Sequence, residues 1–240
     1  MMRAMSRASI AERLPTPERA PASSAPASPL ERTRDAARSR AAILDAAARL
    51  FATCGYHGAS MSEIGAAAGL SRGAPGYLFG SKQSLYGAVL TAVFSSRQQA
   101  TEQAFAPVRA WCESDAELER LPKALAAAAT GYMRFLDEHP EFVALIMREE
   151  LDGGGTLRRA SRSSTAMQDA FEALRRAGAK RGLRTFDVKE AVLLFVSLTF
   201  APFSYRHTLL RAIGVELGSE RDLHRHARLT AEQLMSLLRG

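Results

Sequence analysis

The sequence predicts an all-α protein, on three observations. Apolar residues recur at helical spacing through almost all of the chain beyond Thr33. No stretch of useful length alternates apolar and polar residues as a half-buried strand does. Glycines, prolines and capping residues fall at the ends of the periodic stretches, where helices start and stop. There is no internal repeat.

The chain has 240 residues, 47% of them apolar, enough for a sizeable core. No run approaches the roughly 18 uninterrupted apolar residues of a membrane span. The longest, residues 191–203, reads as a buried helix. The arginines near the start are not followed by the apolar stretch of a signal peptide. Two cysteines, Cys54 and Cys112, cannot make a disulfide framework, so a reducing cytoplasm is expected, with both read as small buried apolar residues. A formal charge of +7 favours an acidic partner, nucleic acid or an anionic surface.

Taken in order, residues 1–32 are rich in Ala, Pro, Ser and Arg and are expected to be a disordered tail. The first helix covers about 34–54, with Ile43, Ala47, Leu50 and Phe51 on one face and Gly55 as its stop. The second starts at Ser60, where Ser60 and Glu63 form a capping box, and ends at Gly69. Ser71 is expected to cap the third, which places Pro75 at its fourth position. From Ser81 a fourth carries Leu85, Val89, Leu90, Val93 and Phe94 and runs towards Pro107. Further helices are expected at about 121–138, 140–151, 156–181, 187–213 and 219–239, with Pro122 and Pro140 in first turns and Pro202 kinking or breaking its helix.

Residues 60–79 have the layout of a helix-turn-helix: a capped two-turn helix, a short turn, a second short helix. Ile64, Ala67, Leu70, Leu78 and Phe79 can lock the pair together. Residues 33–85 carry six basic and three acidic groups, with the basic ones at helix starts and ends, where backbone amides also reach phosphate. The glycine-rich stretch G-L-S-R-G-A-P-G-Y-L-F-G-S-K (69–82) is not a Walker loop, because its lysine follows Gly80-Ser81 and helix, not strand, precedes it. His224 and His226 are two apart and face different sides of a helix, and His139 and His207 have no second ligand at useful spacing, so no metal site is expected. No nucleophile, base and acid fall together, so neither an enzyme nor a cofactor is expected.

The stretch A-A-I-L-D-A-A-A-R-L-F-A-T-C-G-Y-H-G-A-S-M-S-E-I-G-A-A-A-G-L-S-R-G-A-P-G-Y-L-F-G-S-K-Q-S-L-Y resembles the N-terminal DNA-binding domain of TetR-family transcriptional regulators over residues 36–94. The family usually has Thr at the position of Ala74, a bulky apolar residue at Pro75 and Tyr at Gly76; this chain resembles the subset with Gly-x-Pro-Gly-Tyr. The resemblance implies a DNA-binding domain at 33–85 and a larger helical domain at 86–240 for effector binding and dimerisation. Its implied partners are a double-stranded DNA operator, a second copy of the chain in a homodimer, and a small-molecule effector of unknown identity, with no membrane.

On that resemblance Arg72 points into the major groove, to guanine or to phosphate. Ala74 and Pro75 either touch a thymine methyl group or only shape the backbone, while Gly73 and Gly76 let the helix lie close to DNA. Tyr77 and Lys82 are phosphate contacts; Ser60, Ser62 and Ser71 are further candidates, Ser60 chiefly as a cap. The tail's arginines either form a minor-groove arm or stay in solvent. In the larger domain Phe105, Trp111, Tyr132, Met133, Phe142, Met147, Phe171 and Phe203 are candidates for an apolar effector pocket, each otherwise ordinary core. The last two long helices are candidates for a four-helix dimer interface. A repressor released by effector is the reading, with an activator, a nucleoid-type binder or a helical interaction protein as alternatives.

Overall fold

A computed structural model describes residues 29–156, 165–216 and 219–239, and every regular element among them is helical. It divides into two compact units, Met1–Ala37 and Arg38–Gly240. Of the first, only residues 29–37 are described; they open α1 (Pro29–Gly58), so helix begins inside the segment expected to be a tail. Residues 1–28, with the rest of that tail and its arginine arm, lie outside the described residues.

The second unit contains all that follows. Gly55, at φ 74° and ψ 173°, breaks the helical path of α1 where a stop was expected. After it come α2 (Met61–Ala67), α3 (Ala74–Phe79) and α4 (Lys82–Ala104). These are followed by α5 (Ala106–Glu113), a 3-10 turn at Leu118–Arg120, α6 (Leu121–Glu138) and α7 (Pro140–Leu151). The chain ends with α8 (Ala166–Ala179), α9 (Val188–Ser204), the single turn α10 (Leu209–Ala212) and α11 (Glu220–Arg239). No helix among the described residues is long and apolar enough to cross a membrane.

Two hydrophobic cores result. The smaller joins Ile43, Ala47 and Phe51 of α1 to Ile64 of α2, Leu85 and Leu90 of α4, and Leu145 of α7. The larger gathers Phe105 at the junction of α4 and α5, Trp111 of α5, Leu125, Tyr132 and Met133 of α6, Phe171 of α8, Phe195 of α9 and one face of α11. α6 packs most extensively against α11, and Ala128 and Ala129 of the first and Ala227 and Ala231 of the second are all buried in that core.

Several boundaries depart from the sequence reading. The fourth helix stops at Ala104, and Pro107 sits in the first turn of α5, where its missing N–H costs no helical bond. The stretch expected at 156–181 is helical as α8, with residues 157–164 outside the described ones. The stretch at 187–213 is two helices, because α9 ends at Ser204. Pro202 does not divide α9; it lies buried in the last turn. Its ring leaves the carbonyl of Leu198 without an N–H one turn on. His226 of α11 fills the gap, Nε2 lying 2.8 Å from that oxygen. A carbonyl only accepts, so Nε2 carries the proton.

Candidate nucleic-acid interface

The reading head starts with a satisfied helix terminus. Ser60, in extended backbone, accepts the Glu63 amide on Oγ at 3.2 Å, and the Glu63 carboxylate accepts the Ser60 amide at 3.0 Å. The Ser60 hydroxyl donates to the same carboxylate at 2.6 Å. These bonds, the side-chain one foremost, hold the Glu63 carboxyl below its ordinary pKa. The hydroxyl of Ser60 is thus committed to the cap. Ser62, one residue into α2, is exposed.

The turn closes on backbone bonds. The amide of Gly69 donates to Ala66 and that of Leu70 to Gly65, both at 3.0 Å, with Gly69 at φ +70°. α3 then lies directly on α2 at Gly65. A Cβ there would stand 2.6 Å from the Ser71 carbonyl oxygen and 3.2 Å from Pro75 Cδ. Only glycine admits that approach. The sequence reading missed Gly65; its signal was a glycine inside a two-turn helix.

The start of α3 corrects two expectations. Ser71 is not its cap: the cap position belongs to Gly73, which makes no side-chain bond, while the Ser71 carbonyl accepts the Ala74 amide at 3.0 Å. Pro75 occupies the first turn, not the fourth position, so it forfeits no helical hydrogen bond. It is also the buried residue of α3, turned against Gly65, where it shapes the turn. Ala74 is half-buried.

What remains outward is a compact set. Ser71, Arg72, Gly73 and Gly76 are exposed, and a Cβ on either glycine would meet nothing within 4 Å. Tyr77 is 90% exposed, an unusual setting for a tyrosine that packs on nothing. Arg40 does not join this face. Its guanidinium bonds the Leu78 carbonyl at 3.3 Å and lies 4.2 Å from the Phe79 ring centre, pinning the end of α3. Lys82, in the first turn of α4, donates to the His57 carbonyl at 3.3 Å and sits 4.8 Å from the Tyr56 ring centre. Ser81 caps α4 by accepting the Ser84 amide.

The candidate effector residues are placed differently. Phe105, Trp111, Tyr132, Met133, Phe142, Phe171 and Phe203 are all buried, and Met147 is half-buried on α7. Phe105 packs on Phe171 and Phe195 with ring centres 5.5 and 5.0 Å apart, and Tyr132 lies 5.6 Å from Phe195. The Trp111 indole donates to the Glu117 carbonyl at 3.0 Å beneath the Arg181 guanidinium. Of these residues Phe142 alone borders the cleft of about 410 Å³ between α1, α4, α6 and α7. Cys54 is exposed, against expectation, because it lies on the outer face of α1; Cys112 is half-buried, and burial raises its thiol pKa.

A capped two-turn helix, a glycine-packed turn that exposes Arg72, and an outward helix carrying Tyr77 define a helix-turn-helix DNA-binding protein with a large helical body. Residues 43–89 match the model of the bacterial regulatory proteins of the tetR family, and residues 122–233 match a tetracyclin repressor-like C-terminal domain. The HTH-type transcriptional repressor NicS of Pseudomonas putida is 30% identical over 194 residues, which are 79% of this chain and 87% of NicS. Among solved structures, a protein of Mesorhizobium loti assigned to the TetR family has a TM-score of 0.59 at 22% identity, over 85% of this chain and 98% of that one. A TetR-family regulator of Marinobacter aquaeolei also gives 0.59, at 18% identity, over 84% and 97%. At such identities the structures speak for the fold alone. The chain belongs to the TetR family of bacterial transcriptional regulators, and is a regulator rather than an enzyme.

Proposed function

We propose that this protein is a cytoplasmic, homodimeric repressor that binds a palindromic operator and is released by a small apolar or amphipathic effector. The observation that carries the reading is the outward face of α3. Tyr77 stands free on it and Arg72 in the turn just before it, and the open glycines 73 and 76 let the backbone approach a phosphate chain. Residues 33–85 form the DNA-reading domain, and residues 86–240 the domain that pairs and senses.

The dimer is supported by a second surface. Leu193 of α9, Leu229 of α11, and Leu209 and Ile213 at α10 are between 49% and 66% exposed. Apolar side chains that stay uncovered on neighbouring helices suit a second copy of the same helices. A two-fold pair sets its reading heads about 34–36 Å apart, one turn of DNA. The repressor sense follows the name of NicS. An effector that favours another spacing of the heads shifts the population away from DNA.

The test is a band shift on the DNA upstream of the protein's own gene, beside sedimentation of the free protein. A dimer that shifts a palindrome, with affinity falling steeply as salt rises, is expected. A failure to bind any DNA at low salt leaves a helical interaction protein, and binding without sequence preference leaves a nucleoid-type binder.

A further inference from the structure

α1 and α7 are latched at one end and parted at the other. At the kinked end of α1, Arg148 of α7 donates from Nε to the Ala52 carbonyl at 2.9 Å and from Nη2 to the Thr53 carbonyl at 2.7 Å. A Cβ on Gly55 would lie 3.1 Å from the same guanidinium. Beside this latch, Tyr86 of α4 donates its hydroxyl to the buried Glu149 carboxylate at 2.8 Å. Seven residues back along both helices, at Asp45 and Glu141, the cleft of about 410 Å³ lies between them. Seven residues are two helical turns, roughly 10 Å.

The cleft has an apolar floor and an acidic rim. Leu44, Val89, Val93, Phe135 and Phe142 form the floor. On the rim Asp45, Glu138 and Glu141 face a single Arg49, with His139 held 3.0 Å from Glu141. Among the described residues Asp45 has no hydrogen-bond or ion-pair partner. Acidic predominance is a local reversal of sign in a chain of net +7. An adjoining cleft of about 530 Å³ between α4 and α6 shares Ser96, Phe135, Glu138 and His139 and has Arg134, paired with Glu220, on its lining. Among the described residues no three carboxylate, imidazole or thiol groups converge to hold a metal ion. The charge complementarity therefore selects an organic cation, its apolar body against the phenyl rings and its charge at the rim.

We propose that this cleft is an effector site for amphipathic organic cations, protonated amines or quaternary ammoniums, that wedge α1 from α7 about the Arg148 latch. The proposal rests on the repressor reading. α1 backs the reading head and α7 lies in the larger body, so an occupant of the cleft re-sets one against the other. The site draws on α1, α4, α6 and α7 together, unlike the buried aromatic cluster, whose rings fill one another's space.

The test titrates full-length protein by calorimetry with benzyltrimethylammonium, 2-phenylethylammonium, 2-phenylethanol and phenylacetate. The same series is then added to the operator complex. Both cations are expected to bind saturably, about tenfold or more tighter than the alcohol and the anion. A Glu138→Gln/Glu141→Gln variant, its fold checked by its melting curve, is expected to lose that preference. Bound cation is expected to weaken operator binding about tenfold. Absence of saturable cation binding, equal binding of the alcohol, or an unchanged preference in the variant overturns the site. Cation binding that leaves operator affinity unmoved overturns the wedge. Operator binding without any probe is scored separately: its failure overturns the repressor reading, whatever the calorimetry gives.

Discussion

The reading head and the helical body are packed by opposite means. In the body, large rings interlock: Phe105, Phe171, Phe195 and Tyr132 lie with centres 5.0 to 6.1 Å apart, all buried. In the head, α3 is held by what is missing, since the side chain absent at Gly65 lets the Ser71 carbonyl and the Pro75 ring sit directly on α2. Large rings give stability by area buried and contacts made. A glycine seat gives a fixed angle between two short helices that have little area to bury. The body is stable because it is full, and the head is accurate because it is close.

Substitutions separate these two strategies. Phe195→Ala should have the largest effect, about 3–5 kcal/mol of global stability. A melting curve checks it, and a loss below 1 kcal/mol would mean that the rings are not the body's main support. Gly65→Ala should cost about 1–3 kcal/mol through forced displacement of α3. Its signature is unequal: operator affinity in a band shift should collapse, while hydrogen exchange in α6 and α11 stays as in the parent. An equal loss in both places would merge the two regions into one cooperative unit.

Ser60→Ala comes next, at about 1 kcal/mol for a lost cap. Its cost should depend on pH. The Glu63 carboxyl titrates below its ordinary value in the folded protein, so the cap's charged bonds are complete at neutral pH and are lost as pH falls through that lowered value. The gap between Ser60→Ala and the parent in melting temperature should therefore narrow in acid. Tyr77→Ala should leave stability within about 0.5 kcal/mol, since the ring touches no core. It should still weaken operator binding, and unchanged affinity would remove Tyr77 from the interface.

Much of this was legible in the sequence, for particular reasons. The capping box at Ser60 and the helices at 121–138 and 140–151 depend on neighbours within one or two turns, and prolines 122 and 140 mark their first turns. The start of α3 was not legible. A serine four residues before a proline looks like a cap, but the contact of Gly65 with Ser71 fixes the turn, and that contact exists only once α3 is folded back. The candidate effector residues were harder still. Aromatic side chains at helical spacing announce burial, and seven of the eight candidates are buried. Whether buried rings leave a space depends on how four helices meet. The cleft of α1, α4, α6 and α7 is lined by charged groups that helical periodicity marks only as solvent-facing.

Pro202 has a consequence for how the sequence can change. Two positions 24 residues apart answer for one oxygen atom, the carbonyl of Leu198, which Pro202 leaves without a helical donor and His226 supplies with one. His226→Ala in the parent strands that oxygen and should cost about 1–3 kcal/mol. In a Pro202→Ala background the helix provides its own N–H, and the same change should cost much less. A double-mutant cycle should thus return a coupling of roughly 1 kcal/mol or more. The proline and the histidine form an epistatic pair, and drift at either position is conditional on the other.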